Sequence, residues 1–482
     1  MNRIIILLFL IADILFAQDI SSVQNIIDKN NNSKLLKNAS WSITARYLDD
    51  GKNIISYNSN LALAPASNLK LVTTATALDI LGKDFRFETK LYYDGEITNN
   101  GVLKGNIYIV GGGDPTLGYD LLNGSMSLEQ LMTSWVEAIS DLGINSISGN
   151  IIADDLLYDR IPIPYNWSWI DLGNYYATST SALTINNNLY FLYFKPGDKV
   201  GDLAEVIRTE PTIENLKFTN YMKTGKKGSG DNGYVFNAPL QFDATLRGTI
   251  PKGKNEFSIK GSIPNPPLFA AQYLKKYLNA NNVSVLCQAL VIDKEKEYKH
   301  EKLIVKTISP TVEDIVFIVN KKSDNLYTEM LLRAIGLKAK GEGSVEKGIE
   351  AVDEYLKNNE LSADELLMHD GCGLSRFNAI TTNLFVELLT MISKKSYFNE
   401  FYNSLAVVGD MNDISSYSNY GIGTAIEKNA HIKSGVIEGV RSYSGYLKDM
   451  NGRTIVFSMI ANNFNGSGSA VSNIHKEIMI SL

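Results

Sequence analysis

The sequence predicts an α+β protein in which one domain is interrupted by a long insertion. Three observations carry this reading. Apolar stretches of helix length, with proper caps, are interspersed with short strand-like segments and hairpin turns. Three short polar motifs, at Ser67, Ser323 and Lys433, are far apart in the chain. The 256 positions from 67 to 323 hold many strand signals of their own, against 110 from 323 to 433. With 482 residues and 44% hydrophobic content, two or three domains are expected.

The chain opens with Arg3, the apolar run Ile4 to Ala12, then Leu15-Phe16-Ala17. This pattern is that of a secretion signal, residues 1–17, cleaved after Ala17. The run is too short to span a bilayer, which takes roughly 20 residues. Gln18 in place of a cysteine argues against a lipid anchor. No later segment is apolar enough to cross a membrane, so the mature chain is expected to be exported, periplasmic or extracellular, with no transmembrane segment.

Val23 to Leu36 reads as a helix, and Trp41 to Tyr47 with Asn53 to Tyr57 as a hairpin around Asp49-Asp50-Gly51. Ser67 follows Ala64-Pro65-Ala66 and opens the apolar helix Leu69 to Leu81, stopped by Gly82. Phe85 to Tyr93 alternates like a half-buried strand, and Leu103 to Val110 follows as another. Leu128 to Leu142 is a helix and Ser148 to Ala153 a strand. Strands return at Leu189 to Phe194 and from Thr245 to Ile263. The insertion is therefore expected to be nested: a β-rich domain, 89–112 and 188–294, holding a small α/β domain, 113–187.

Leu303 to Ile308 resumes the outer domain, 18–88 and 295–482. Ser309 and Pro310 announce a helix from Thr311 to Val319, and a second runs from Tyr327 to Ile335. Helices follow at Ser344 to Lys357, Thr381 to Ser393 and Ala470 to Ile480. Ala430 to Val436 is extended, and Arg441 to Lys448 pairs with Thr454 to Ala461 through Asn451-Gly452.

The motifs gain meaning from these elements. In Ser67-Asn68-Leu69-Lys70 the lysine sits one helical turn from the serine, so its amine can reach the hydroxyl. Ser323-Asp324-Asn325 falls on a loop between two helices, and Lys433-Ser434-Gly435 on a strand able to pair with a peptide backbone. Together they supply a nucleophile, a base, a proton relay and an anion anchor, the set a serine acyl-transferase needs. Each motif alone is weak. Ser344/Lys347 lies in a charged stretch and is expected at the surface; Lys223-Thr224-Gly225 runs into a glycine-rich polar segment and is expected to be a loop without a strand.

Beyond the triplet, Val110-Gly111-Gly112-Gly113-Asp114-Pro115, Tyr175-Tyr176-Ala177 with Ser181-Ala182-Leu183, Asp370-Gly371-Cys372-Gly373-Leu374-Ser375-Arg376, Gly439-Val440-Arg441 and Ser444-Gly445-Tyr446 complete a pattern. The chain resembles the D-alanyl-D-alanine carboxypeptidase/endopeptidase family, the penicillin-binding protein 4 type of low-molecular-mass class C penicillin-binding proteins. The resemblance implies a DD-peptidase/β-lactamase-like transpeptidase domain, an antiparallel sheet flanked by helices, with two inserted domains. It implies an exported hydrolase of the bacterial cell wall that cleaves D-Ala-D-Ala termini or D-Ala cross-links of peptidoglycan stem peptides and is inhibited by β-lactams.

In that reading Ser67 is the nucleophile, Lys70 its base and Ser323 the relay to the leaving amine. Asn325 holds Lys70 and the substrate amide. Lys433 and Ser434 attract the terminal carboxylate, with Gly435 and Val436 completing the binding strand. The N–H groups of Ser67 and Val436 form the oxyanion hole. Ser434 stands where threonine is commoner, and Cys372 where the family usually has serine. The Asp370 loop is expected to support the site. Two other classes use the same motifs: a secreted Ser-Lys esterase or β-lactamase, and a catalytically silent cell-wall-binding protein.

Other chemistry finds less support. The four histidines show no ligand spacing and no Gly-x-Ser-x-Gly elbow is present, so the expected reaction needs no metal or cofactor. A net charge of −6 without a basic stripe argues against nucleic acid. The two cysteines, Cys287 and Cys372, are expected as buried thiols. Oligomeric state has no signal in the sequence.

Overall fold

The computed structural model describes residues 22–253 and 255–482; the expected leader, 1–17, lies outside them. The described residues divide into two compact units: 22–83, Val316–Asp324 and Ile349–Leu482 form one, Asp84–Ile315 and Asn325–Gly348 the other.

The first unit is built on a wholly antiparallel six-stranded sheet. Its strands are β1 (Ser40–Tyr47), β2 (Asn53–Tyr57), β3 (Ala406–Val407), β4 (His431–Ile437), β5 (Val440–Lys448) and β6 (Thr454–Asn462), in the order β2-β1-β6-β5-β4-β3. The terminal strands thus meet at the centre, where β1 pairs with β6 over its whole length. Three helices matter most: α1 (Lys70–Ile80), α2 (Thr382–Ile392) and α3 (Gly468–Ser481). α2 packs on β1 and β6, and α3 on β5. Thr382 in α2 is hydrogen-bonded to Ser42 at 2.6 Å and Thr44 at 2.7 Å, which satisfies three buried hydroxyls at once. Ile27, Ile43, Phe457 and Ile478 are fully buried in this core; such side chains each contribute about 1.5–3 kcal/mol.

β4 matters for function. β5 covers one edge throughout, from His431↔Tyr446 to Ile437↔Val440. On the other edge β3 reaches only His431 and Ile432. From Lys433 onward that edge meets no described strand, as expected for a strand that receives a peptide.

The N-terminal helix is shorter than expected: it runs over 22–31 instead of to Leu36. Asn31 spends its side chain on Trp41 Nε1 at 3.0 Å and the Tyr57 hydroxyl at 2.8 Å, and Ser33 Oγ accepts from the Leu36 N–H at 3.2 Å. Such local side-chain bonds compete with helix continuation.

In the second unit a mixed sheet has the order Ala289–Val291, Ile151–Asp154, Ile107–Val110, Glu88–Tyr93, Leu303–Ile308. Its first two strands are covered by the helix Pro266–Ala280. The strand Ile151–Asp154 lies between strands from both sides of the 113–187 stretch, pairing in parallel with each. The segment 189–262 forms separate sheets, one centred on Leu189–Lys195 and one on Asp243–Pro251. The helix Leu128–Asp141 begins at a capping box of Ser127 and Gln130, and its buried Trp135 donates to Thr307 Oγ1 at 2.9 Å.

Three local expectations are corrected. Lys223–Gly225 is a short strand, paired in parallel with Thr249–Pro251, because the glycine-rich turn after it returns the chain to the same sheet. Ser344 is buried, not at the surface: its hydroxyl accepts from the Lys347 N–H at 3.2 Å at the start of the helix Val345–Asn358. Cys372 is a buried thiol, but Cys287 is partly exposed and its Sγ donates to the Ser148 carbonyl at 3.0 Å.

Candidate active site

Ser67 lies on a 3-10 turn, Ala66–Leu69, that leads directly into α1. Ala66 is held at φ +48°, a left-handed conformation that costs energy for any residue with a Cβ. Lys70 is the first residue of α1 and is fully buried. Its Nζ donates to Ser67 Oγ at 2.9 Å and to the Cys372 carbonyl at 2.7 Å.

The second contact comes from the loop that starts at Asp370. The buried Asp370 carboxylate accepts from the N–H groups of Gly373 at 2.8 Å and Ser375 at 2.6 Å, and from Asn378 Nδ2 at 2.8 Å. Thr73 Oγ1 donates to the Gly371 carbonyl at 2.8 Å, tying the loop to α1. Gly373 sits at φ +85°, and a Cβ there would overlap the Ala66 carbonyl oxygen. The loop can thus press on the turn that presents Ser67 only as glycine.

Lys433, on β4, donates from Nζ to Ser323 Oγ at 2.9 Å and to the Ser434 carbonyl at 2.9 Å. It is also buried. Burial, and then the charge of Lys70, push its pKa well below the ordinary lysine value of 10.5. Ser323 follows the helix Val312–Lys322 and takes φ +60°. A cleft of about 330 Å³, lined by Ser323, Lys433, Ser434, Ile414 and Tyr417 among others, opens beside this pair.

Gly435 is where β4 touches the nucleophile's turn: a Cβ would overlap the Pro65 carbonyl oxygen and Ser442 Oγ. Ser442 Oγ donates to that same carbonyl at 2.5 Å. Asn68 Nδ2 donates to Ser444 Oγ at 2.7 Å, which is bonded in turn to Ser458 Oγ at 2.8 Å. Val436, half exposed, lies on the open stretch of β4.

The first unit therefore brings together two lysine–hydroxyl pairs, Lys70–Ser67 and Lys433–Ser323, and places Ser434, Gly435 and Val436 along the open edge. Asn325 belongs to the second unit. It is the first residue of the helix Asn325–Lys340, not a loop residue, and its Nδ2 donates to the Tyr176 carbonyl at 2.7 Å. Burial and the charge of Lys70 favour the neutral form of Lys433, and a neutral amine bonded to a hydroxyl can take its proton. The Cys372 carbonyl and the Ser442 hydroxyl were not singled out by motif reasoning, and Ser444 only as part of the Ser444-Gly445-Tyr446 stretch. Only the Asp370 loop carried a signal for the first, and nothing but a small hydroxyl residue on a strand marked Ser442.

The chain is similar to proteins of known class. It is 26% identical over 426 residues to a D-alanyl-D-alanine carboxypeptidase of Actinomadura sp. (strain R39), covering 86% of this chain and 76% of that protein. It is 22% identical to D-alanyl-D-alanine carboxypeptidase DacB of Haemophilus influenzae, over 89% and 87% of the two chains. The crystal structure of penicillin binding protein 4 from Haemophilus influenzae superposes with a TM-score of 0.80 at 21% identity, over 95% of this chain and 98% of that one. That likeness shows the fold: a penicillin-binding protein 4 architecture with an antiparallel sheet and flanking helices. The family described as D-Ala-D-Ala carboxypeptidase 3 (S13) matches residues 23–481, so the chain belongs to this family of serine DD-peptidases.

Proposed function

We propose that Ser67 is the nucleophile of a DD-peptidase that acts on peptidoglycan stem peptides, releasing terminal D-alanine, cleaving D-Ala cross-links, or both. The observation that carries this is the pairing of two buried lysines with two hydroxyls, Lys70 with Ser67 and Lys433 with Ser323. Lys70 takes the Ser67 proton as Oγ attacks the carbonyl between two D-alanines. The oxygen of the tetrahedral intermediate is received by the N–H groups of Ser67 and Val436, a contribution of about 3 kcal/mol per donor. Ser323 passes a proton to the leaving amine, and the C–N bond breaks. Water then cleaves the Ser67 ester.

Lys433 and the Ser434 hydroxyl bind the substrate's terminal carboxylate, Gly435 lets β4 lie against the Ser67 turn, and Asn325 binds the substrate amide. A β-lactam presents the same carboxylate beside a strained amide, so it acylates Ser67. The residues from 89 to 294 are read as inserted domains. Export follows from the N-terminal signal pattern, and no described helix is long and apolar enough to cross a membrane.

The test is intact-protein mass spectrometry after exposure to benzylpenicillin, with Ser67→Ala beside it. One penicillin on the unaltered chain and none on Ser67→Ala is the expected result. An equal adduct on both would refute Ser67. Rapid penicillin hydrolysis without an adduct would move the chain to the β-lactamase class.

A further inference from the structure

Resting on that reading of Ser323, we infer that the buried ion pair of Lys321 and Asp413 is a positioning element for the Ser323 hydroxyl. Three consecutive side chains at the end of the helix Val312–Lys322 are bound to other segments of the first unit, at Thr74, at 404–405 and at 413–414. Asn320 Nδ2 donates to Ser404 Oγ at 2.8 Å and to Thr74 Oγ1 at 3.3 Å, and Thr74 is bonded back to the Lys70 carbonyl at 2.7 Å. Lys321 donates to the Asp413 carboxylate and the Leu405 carbonyl, and Lys322 to the Ile414 carbonyl. The side chains of Lys321 and Asp413 are 5% and 3% exposed, whereas those of the Arg208–Glu256 and Arg453–Asp49 pairs are 31–58% exposed.

Asp413 is itself fixed, accepting from the N–H groups of Ser415 at 2.7 Å and Val407 at 3.2 Å. The pair therefore joins the helix end to the 410–417 loop, whose residues Ile414 to Tyr417 line the same cleft as Ser323 and Lys433. Ser323 follows two residues after Lys321 and is held at φ +60°. A strained conformation of this kind persists only where its surroundings determine it. Here the determinants are the anchored residues just before it. Without the pair the helix end has one fixed point fewer, and the relay hydroxyl leaves the line between Lys433 and the leaving amine.

The experiment measures the rate of Ser67 acylation by a fluorescent penicillin, together with the thermal midpoint, in the full chain. Asp413→Asn and Lys321→Met are expected to slow acylation by about a hundredfold, the scale of an ångström's misplacement. Lys321→Arg, which keeps the charge and changes the reach, is expected to lie between them and the unaltered chain. In a Ser323→Ala background Asp413→Asn is expected to have no further effect, because the group it positions is gone. Unchanged acylation in Lys321→Arg and Asp413→Asn would overturn the inference, as would an equal slowing in the Ser323→Ala background, which is what a purely structural role gives. Failure of the underlying reading is distinct: Ser323→Ala alone would then be acylated as fast as the unaltered chain.

Discussion

Lys433 donates to Ser323 Oγ at 2.9 Å across 110 residues of sequence. The same Nζ donates to the carbonyl of Ser434, the next residue. Two donated hydrogen bonds are what a neutral amine can supply, and its lone pair remains. The lysine can therefore stay buried without a carboxylate partner, in keeping with its lowered pKa. A terminal carboxylate arriving from substrate would change this balance, because an opposite charge nearby favours the protonated form. Substrate binding and proton placement at Ser323 are thus joined in one side chain.

This arrangement predicts a pH dependence of stability. In the unfolded chain Lys433 holds its proton up to about 10.4; in the folded chain it gives the proton up well below 10.5. Between the two values the unfolded state binds more protons, so stability rises with pH, by up to about 1.4 kcal/mol per unit for this one group. The full stability is present above the unfolded value and is lost as pH falls toward the folded one. Lys433→Met should remove that rise. Thermal midpoints of both chains from neutral pH to about 10 measure it, and parallel curves would contradict the assignment of the shift to Lys433.

Ser434→Ala tests the carboxylate anchor. A hydrogen bond to a charged group is worth about 1.5–3 kcal/mol, so substrate with a free D-alanine terminus should bind about tenfold or more weakly. The acyl-transfer step itself should change little, since Ser67 and both lysines keep their partners. The expected signature is a raised KM at nearly constant kcat. Ser434→Thr should restore binding, because the hydroxyl returns on a strand whose outer edge is open at this point. A fall in kcat with KM unchanged would assign Ser434 to the chemical step instead.

The motifs were legible because each is local: Lys70 reaches Ser67 within one turn, and β4 is announced by the hairpin that follows it. The closure of the sheet that carries them was not. β1 and β6 pair although about 400 residues lie between them, and nothing in either strand's alternation names its partner. In the second unit, strands as distant as Glu88–Tyr93 and Leu303–Ile308 share a sheet for the same reason. The Cys372 carbonyl was invisible in a stronger sense. It is a backbone group, so any residue at 372 could supply it, and the Asp370 hydrogen bonds together with the Thr73 tie to Gly371 fix where it points.

That dependence makes Asp370 a sharp probe. Asp370→Ala would leave three buried donors, from Gly373, Ser375 and Asn378, without their acceptor. Each orphaned donor costs about 1–3 kcal/mol, so a loss of at least about 3 kcal/mol in stability is expected. Acylation should fall as well, because the Cys372 carbonyl no longer holds Lys70. Cys372→Ser is the contrasting case: the backbone acceptor stays, so acylation should be retained. Urea unfolding together with penicillin acylation separates the two effects. An Asp370→Ala chain of unaltered stability would mean that the loop is held by other contacts.

Gly435→Ala gives the most local test of the site's geometry. The position has ordinary backbone angles, so the added methyl carries no conformational penalty; its cost is steric alone. It would strike Ser442 Oγ, on a strand paired along both edges and unable to yield, and the Pro65 carbonyl at the head of the Ser67 turn. The softer side of the contact is the Ala66–Leu69 turn, already held in an unfavourable conformation at Ala66. The turn should therefore move away from β4 and carry Ser67 off its line to the open edge. A displacement of about 1 Å corresponds to about a hundredfold in rate. Acylation by penicillin should fall by that order while the thermal midpoint drops only modestly, since the core of the sheet is untouched. Full acylation in Gly435→Ala would show that the turn and β4 do not share the work of placing Ser67 against its substrate.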